Sequence, residues 1–105
     1  MNPMNLLMVS YTVKPDRIDE NESLIRAVYD ELHQVRPAGL RYAAFRVDGG
    51  PRFVHLAMVD PGVEPHPLAS QAAFQAYTAG IDDRCDEPPV AVRLDEVGSW
   101  EFGLR

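Results

Sequence analysis

The stretch RFVHLAMVD, residues 52–60, has the residue types of a β-strand but apolar side chains on both of its faces. A strand with one wet face alternates apolar with polar positions, so this pattern predicts cover on both sides. LLMVSYTVK, residues 6–14, is rich in β-branched and aromatic residues and is stopped by Pro15, which predicts a first strand. Ile18, Ile25, Val28, Leu32 and Val35 then recur at helical spacing, widened by Leu24. Asp16 is the expected N-cap of that helix, and Pro37 and Gly39 end it near Arg36. LRYAAFRVD reads as a second strand, Gly49–Gly50 with Pro51 as a hairpin turn, and RFVHLAMVD as the third strand. PGVEPHPL, with three prolines, is a loop. Ser70 is the expected cap of a second helix through Phe74 and Tyr77, which Gly80 weakens and IDDRCDEPP ends. VAVRLDEVGSW is the fourth strand, with a bulge or bend expected at Gly98.

The order is βαββαβ, which predicts an α+β, ferredoxin-like domain spanning residues 1–105. Four antiparallel strands form one sheet, and right-handed crossovers place both helices on the same face. The chain's helices thus cover one side of the third strand, and 105 residues leave nothing for the other. An uncovered apolar sheet face is a sticky patch. The expected cover is a second copy, sheet against sheet, in a two-fold homodimer.

The composition, 46% hydrophobic and 25% charged, is that of a globular protein, and no apolar run approaches the roughly 20 residues of a membrane helix. The opening MNPMNLLMVS lacks a basic n-region and merges into the first strand, so the expectation is no signal peptide and a cytoplasmic location. The single Cys85 has no internal disulfide partner. A net charge of −6 disfavours nucleic acid and anionic membranes as partners and favours small molecules or proteins. The Gly-aromatic signature of RNA-binding sheets is missing from RFVHLAMV.

A strand ending YTVKP, a helix closing in RPAGL, the hairpin YAAFRVDGGPRFVHL, the FQAYTAGI helix and a last segment VGSWEF together resemble the dimeric α/β-barrel superfamily that includes the antibiotic biosynthesis monooxygenases. The resemblance spans roughly Asn5 to Phe102 and rests on element order and strand texture. It implies a homodimer with a ligand cavity in each subunit between helices and sheet. Some members of the superfamily oxidise phenolic or polycyclic substrates with O₂ and no bound cofactor, and others degrade haem. The haem-degrading branch combines an Asn on the first strand with a Trp and a His toward the second helix. Here Asn5 matches, but SQAAFQAYTAGI has no His and the one Trp is Trp100, so haem degradation is disfavoured and no cofactor is expected.

Pairing about the Gly49–Gly50 tip sets Arg46 opposite Phe53, Ala44 opposite His55 and Tyr42 opposite Ala57. Tyr42, Arg46, Phe53 and His55 then share one face, while Phe45, Val47, Val54, Leu56 and Met58 form a dry one. The first set offers His55 as a general base, Tyr42 as a second proton-exchanging group and Arg46 as a cation for an enolate or phenolate. A cofactor-independent oxygenase needs those three functions, and a place in the dimer interface would use the same residues without chemistry. Phe53, Phe74, Tyr77 and Trp100 are the candidate substrate contacts, Phe74 and Tyr77 on the helix face that roofs the cavity in the superfamily. No metal site is expected: Glu64 and His66 lack a third ligand, His33 reads as a surface residue near a helix end, and the acids around Cys85 make its thiol less reactive. A non-catalytic ligand-binding or structural dimer of the same fold is the alternative.

Overall fold

The computed structural model describes residues 5–102. Strand β1, Asn5–Val13, runs until Pro15, where a single 3₁₀ turn, Pro15–Arg17, leads into helix α1, Ile18–Val35. Asp16 lies inside that turn and does not cap α1; Arg17 holds the N-cap position without a side-chain bond to the backbone. Pro15 explains the shift, because its fixed φ starts the turn one step before the expected cap. The apolar stripe of α1 packs inward with Val28 buried, but Val35, the last residue of the helix, is exposed. Arg36, in the left-handed conformation at φ 52, ends it, followed by Pro37.

Strands β2, Leu40–Arg46, and β3, Arg52–Val59, form the hairpin. Their register pairs Arg46 with Phe53, Ala44 with His55 and Tyr42 with Ala57, as the hydrophobic alternation requires. Helix α2, Ala72–Ala79, lacks the expected Ser70 cap: Gln71 precedes its first turn, and the Ala73 N–H donates instead to Glu31 Oε1 of α1 at 2.9 Å. A carboxylate from the neighbouring helix thus meets one of the donors that a local cap would have satisfied.

After Gly80 a further turn, α3, Ile81–Arg84, leads directly into β4, Cys85–Leu94. The segment IDDRCDEPP, expected to end the second helix, is therefore a further helical turn followed by the start of β4, and the expected fourth strand is displaced toward the N-terminus. Residues 95–100, Gly98 among them, lie beyond β4, so no strand bulge forms at Gly98. One irregularity falls at Pro88–Pro89, where β4 inserts an extra residue between the pairs Ser10–Val90 and Thr12–Glu87, and a second follows between Thr12–Glu87 and Val13–Cys85. Proline has no N–H to give a ladder, and β4 tolerates two because it is an edge strand.

The sheet order is β2-β3-β1-β4, all antiparallel, giving the α+β ferredoxin-like fold. Tyr11, Val13, Phe53, Tyr77 and Cys85 form the core between helices and sheet, closed by Val28 and Leu68. Among the described residues no helix is long and apolar enough to cross a membrane. The outer face presents Leu6, Met8, Val54 and Leu56, flanked by exposed Phe45, Val90 and Val92. Phe102 borders a hollow of about 460 Å³ on this face, beside Leu56 and Met58. The reading of the opening residues as leaderless concerns residues 1–4, and the Asn5 side chain bears on the haem comparison; both lie outside the described residues.

Candidate functional site

Alternation along β1 turns Val9, Tyr11 and Val13 toward the helices, and alternation along β3 does the same for Phe53 and His55. Tyr11 pairs with Phe53 across the ladder and stacks on it at 5.7 Å. His55, 3% exposed, lies at the centre of a buried polar cluster. Its Nδ1 is 2.7 Å from the Tyr42 hydroxyl of β2, and its Nε2 is 2.8 Å from the Tyr11 hydroxyl of β1. The Tyr77 hydroxyl of α2 donates to Tyr11 at 2.8 Å and lies 3.3 Å from His55 Nε2. Asn21, on the buried stripe of α1, donates from Nδ2 to Tyr11 at 2.9 Å. Arg84, at the end of α3 and 2% exposed, donates from Nε to Asn21 Oδ1 at 3.2 Å and from Nη2 to the Tyr77 carbonyl at 2.6 Å.

Burial governs how these groups ionise. Desolvation lowers the His55 pKa to about 4, so the ring is neutral at pH 7. The same cause raises the Tyr11, Tyr29, Tyr42 and Tyr77 hydroxyls above the usual phenol range, so all four keep their protons. The result is a neutral set of hydroxyls around one imidazole, with a buried guanidinium at its inner end.

The cluster meets the surface at Tyr42. Its ring stacks on Tyr29 at 5.3 Å, and both rings line a hollow of about 390 Å³ with Leu32, His33, Arg36 and Leu40. The Tyr29 hydroxyl has no hydrogen-bond partner although it is shielded from solvent.

Of the residues singled out from sequence, the fold brings together Tyr42, His55, Phe53, Phe74 and Tyr77. Phe74 meets the Tyr42 ring edge-on at 6.4 Å. Arg46 is not part of the group. Its guanidinium is held at the hairpin tip by the carbonyls of Gly50 and Gly49 at 2.7 and 2.6 Å and by Glu22 at 3.0 Å. Trp100 stands beyond β4 and is 84% exposed, away from the cluster. His33 borders the hollow, whereas His66 accepts the Leu68 N–H within its own loop. Burial is the largest cause raising the Cys85 thiol, which stays protonated. Among the described residues no three His, Cys, Asp or Glu side chains gather into a metal-binding group.

Three members of the cluster escaped the sequence reading: Tyr11, Asn21 and Arg84. Asn21 did leave a signal, since it stands three residues after Ile18 and four before Ile25, within the apolar stripe.

No family model matches the sequence, and no curated protein matches it significantly. Solved structures do match in fold. A protein from Nitrosomonas europaea provisionally named an antibiotic biosynthesis monooxygenase shares 19% identity over 92% of this chain and 93% of its own, with a TM-score of 0.72. One from Bacteroides thetaiotaomicron, also provisionally so named, shares 15% over 98% and 95%, with a TM-score of 0.76. A third structure, named an antibiotic biosynthesis monooxygenase outright, shares 22% over 90% and 100%, with a TM-score of 0.67. The chain has the fold of these structures.

Proposed function

We propose that the protein is a cofactor-independent monooxygenase acting on a small, acidic aromatic compound of the phenol, quinol or anthrone type, and that it works as a homodimer. One observation carries the reading: a buried His55–Tyr42 pair whose outer end opens, at Tyr42, onto a hollow of about 390 Å³. The fold shared with structures named as antibiotic biosynthesis monooxygenases supports it. The apolar outer face, with Phe45, Val90 and Val92 exposed, supports the dimer.

The division of labour differs from the sequence expectation. Both nitrogens of His55 already engage tyrosines, so the ring has no lone pair free for a substrate. His55 holds Tyr42 in place, and the substrate's proton leaves to water at the mouth of the hollow. Arg46 is occupied by the hairpin and Glu22, so the anion is met by the Tyr42 hydroxyl instead. The substrate anion transfers one electron to O₂. The resulting radical and superoxide combine into a C–O bond, and loss of water from the peroxide leaves a carbonyl. For an anthrone the balance is CH₂ + O₂ → C=O + H₂O, the substrate supplying all four electrons.

An oxygen electrode tests this with a panel of phenols, quinols and anthrones and no added flavin, metal or haem. Tyr42→Phe keeps the ring stack on Tyr29 and removes the donor, and should lower turnover roughly 10²-fold, as loss of one oxyanion donor does. Unchanged turnover in this variant would overturn the assignment. The fully satisfied His55 favours a second reading, a non-catalytic binding module. Ligands that raise the melting temperature without oxygen uptake would establish that reading.

A further inference from the structure

Arg84 is a buried cation with no carboxylate partner among the described residues. An unpaired buried charge is costly unless its neighbours accept its hydrogen bonds, and this constrains them donor by donor. A guanidinium only donates, so Asn21 must present Oδ1 to Arg84 Nε and therefore Nδ2 to Tyr11. The Tyr11 oxygen also accepts from Tyr77, which fills its two acceptor positions. Its own proton then has one remaining partner, His55 Nε2 at 2.8 Å. An imidazole that accepts at Nε2 and is neutral carries its proton on Nδ1, which donates to the Tyr42 oxygen at 2.7 Å. Tyr42 is left with a proton to give.

The opposite direction fails at the inner end. If Nε2 carried the proton, Tyr11 would accept it together with Asn21 and turn its own proton to Tyr77. The Tyr77 proton would then have no acceptor, at a site 4% exposed. Tyr42 lines an open hollow, where water or a ligand can accept the spare proton.

We infer that Arg84 and Asn21 are positioning residues that orient the chain Asn21→Tyr11→His55→Tyr42 outward, so that Tyr42 always offers its O–H to an oxyanion, a phenolate or enolate, bound in the hollow beside Tyr29. Every link polarises the next in the same sense, starting from a fixed positive charge. Alignment is therefore complete before the ligand arrives, which is the condition for stabilising a developing anion without reorganisation. Tyr29 lines the same hollow, and Arg36 borders it with a further positive charge. The cation serving the anion is thus reached through the core and not from Arg46.

The inference rests on the proposed function for its ligand class, but its direct test does not depend on turnover. With ¹⁵N-labelled histidine, long-range ¹H–¹⁵N correlation spectra report which nitrogen of His55 carries the proton. The wild type should show a protonated Nδ1 and a bare Nε2; a protonated Nε2 overturns the inference without any variant. Asn21→Asp replaces the Nδ2 donor with an acceptor, so Tyr11 turns its proton to the new carboxylate and Nε2 must donate to Tyr11. The tautomer should invert, and 4-nitrophenolate binding, followed by its absorbance, should weaken about tenfold, as in Tyr42→Phe. A folded Asn21→Asp variant that keeps the wild-type tautomer would refute the positioning role. An inverted tautomer with unchanged 4-nitrophenolate affinity would refute the link from the chain to the ligand. Absence of oxygen uptake with the predicted tautomer present would count against the oxidation alone.

Discussion

Acidification should destabilise this fold well above the pH at which its carboxylates protonate, and His55 should be the cause. Burial holds its pKa at about 4, against 6.5 for a free histidine. The unfolded chain therefore binds a proton through a range in which the native chain does not. The stabilisation is fully present above the unfolded value and is lost as pH falls from about 6.5 toward about 4. At about 1.4 kcal/mol per unit, the full effect is about 3 kcal/mol, and about 2 kcal/mol of it should disappear between about pH 7.5 and about pH 5. Urea unfolding at those two pH values measures it. His55→Gln, which cannot ionise, should be less stable at the higher pH but should lose only the small contribution of the other groups on acidification. Equal losses in wild type and variant would refute the reasoning, showing that His55 is either solvated or already protonated in the folded state.

Two further outcomes follow from the fold. Light scattering on the order of tens of micromolar should return twice the 11.7 kDa chain mass, and Val92→Glu, on the outer sheet face, should return the single-chain mass without unfolding the protein; a wild-type mass of 11.7 kDa would remove the dimer. Gly39 has φ +78, and a Cβ there would lie 2.7 Å from Val63 Cγ2, so Gly39→Ala should cost roughly 2 kcal/mol or more in urea unfolding, and a variant as stable as wild type would show that the Val63 loop yields freely.

Much of the architecture was written in local patterns. The period-2 alternation and the Gly49–Gly50 turn with Pro51 determined the β2–β3 register residue by residue, and with it the meeting of Tyr42 and His55. The apolar stripe of α1 determined which face of the helix packs inward, because burial follows a 3.6-residue period whatever the partner. Where competing signals stood side by side, sequence misled: Pro88 and Pro89 read as a break, yet an edge strand accommodates them. Which arginine lies beside the buried cluster was not legible at all. Arg46 looked free on the pairing diagram, but its long side chain folds back onto the turn carbonyls, a contact that alternation does not describe. Arg84 reaches Asn21 across 63 residues of chain, through a helical turn that no periodicity marks. Periodicity records which face of each element avoids water; which polar groups meet beneath those faces depends on how distant elements close over one another, and only the tertiary structure decides that.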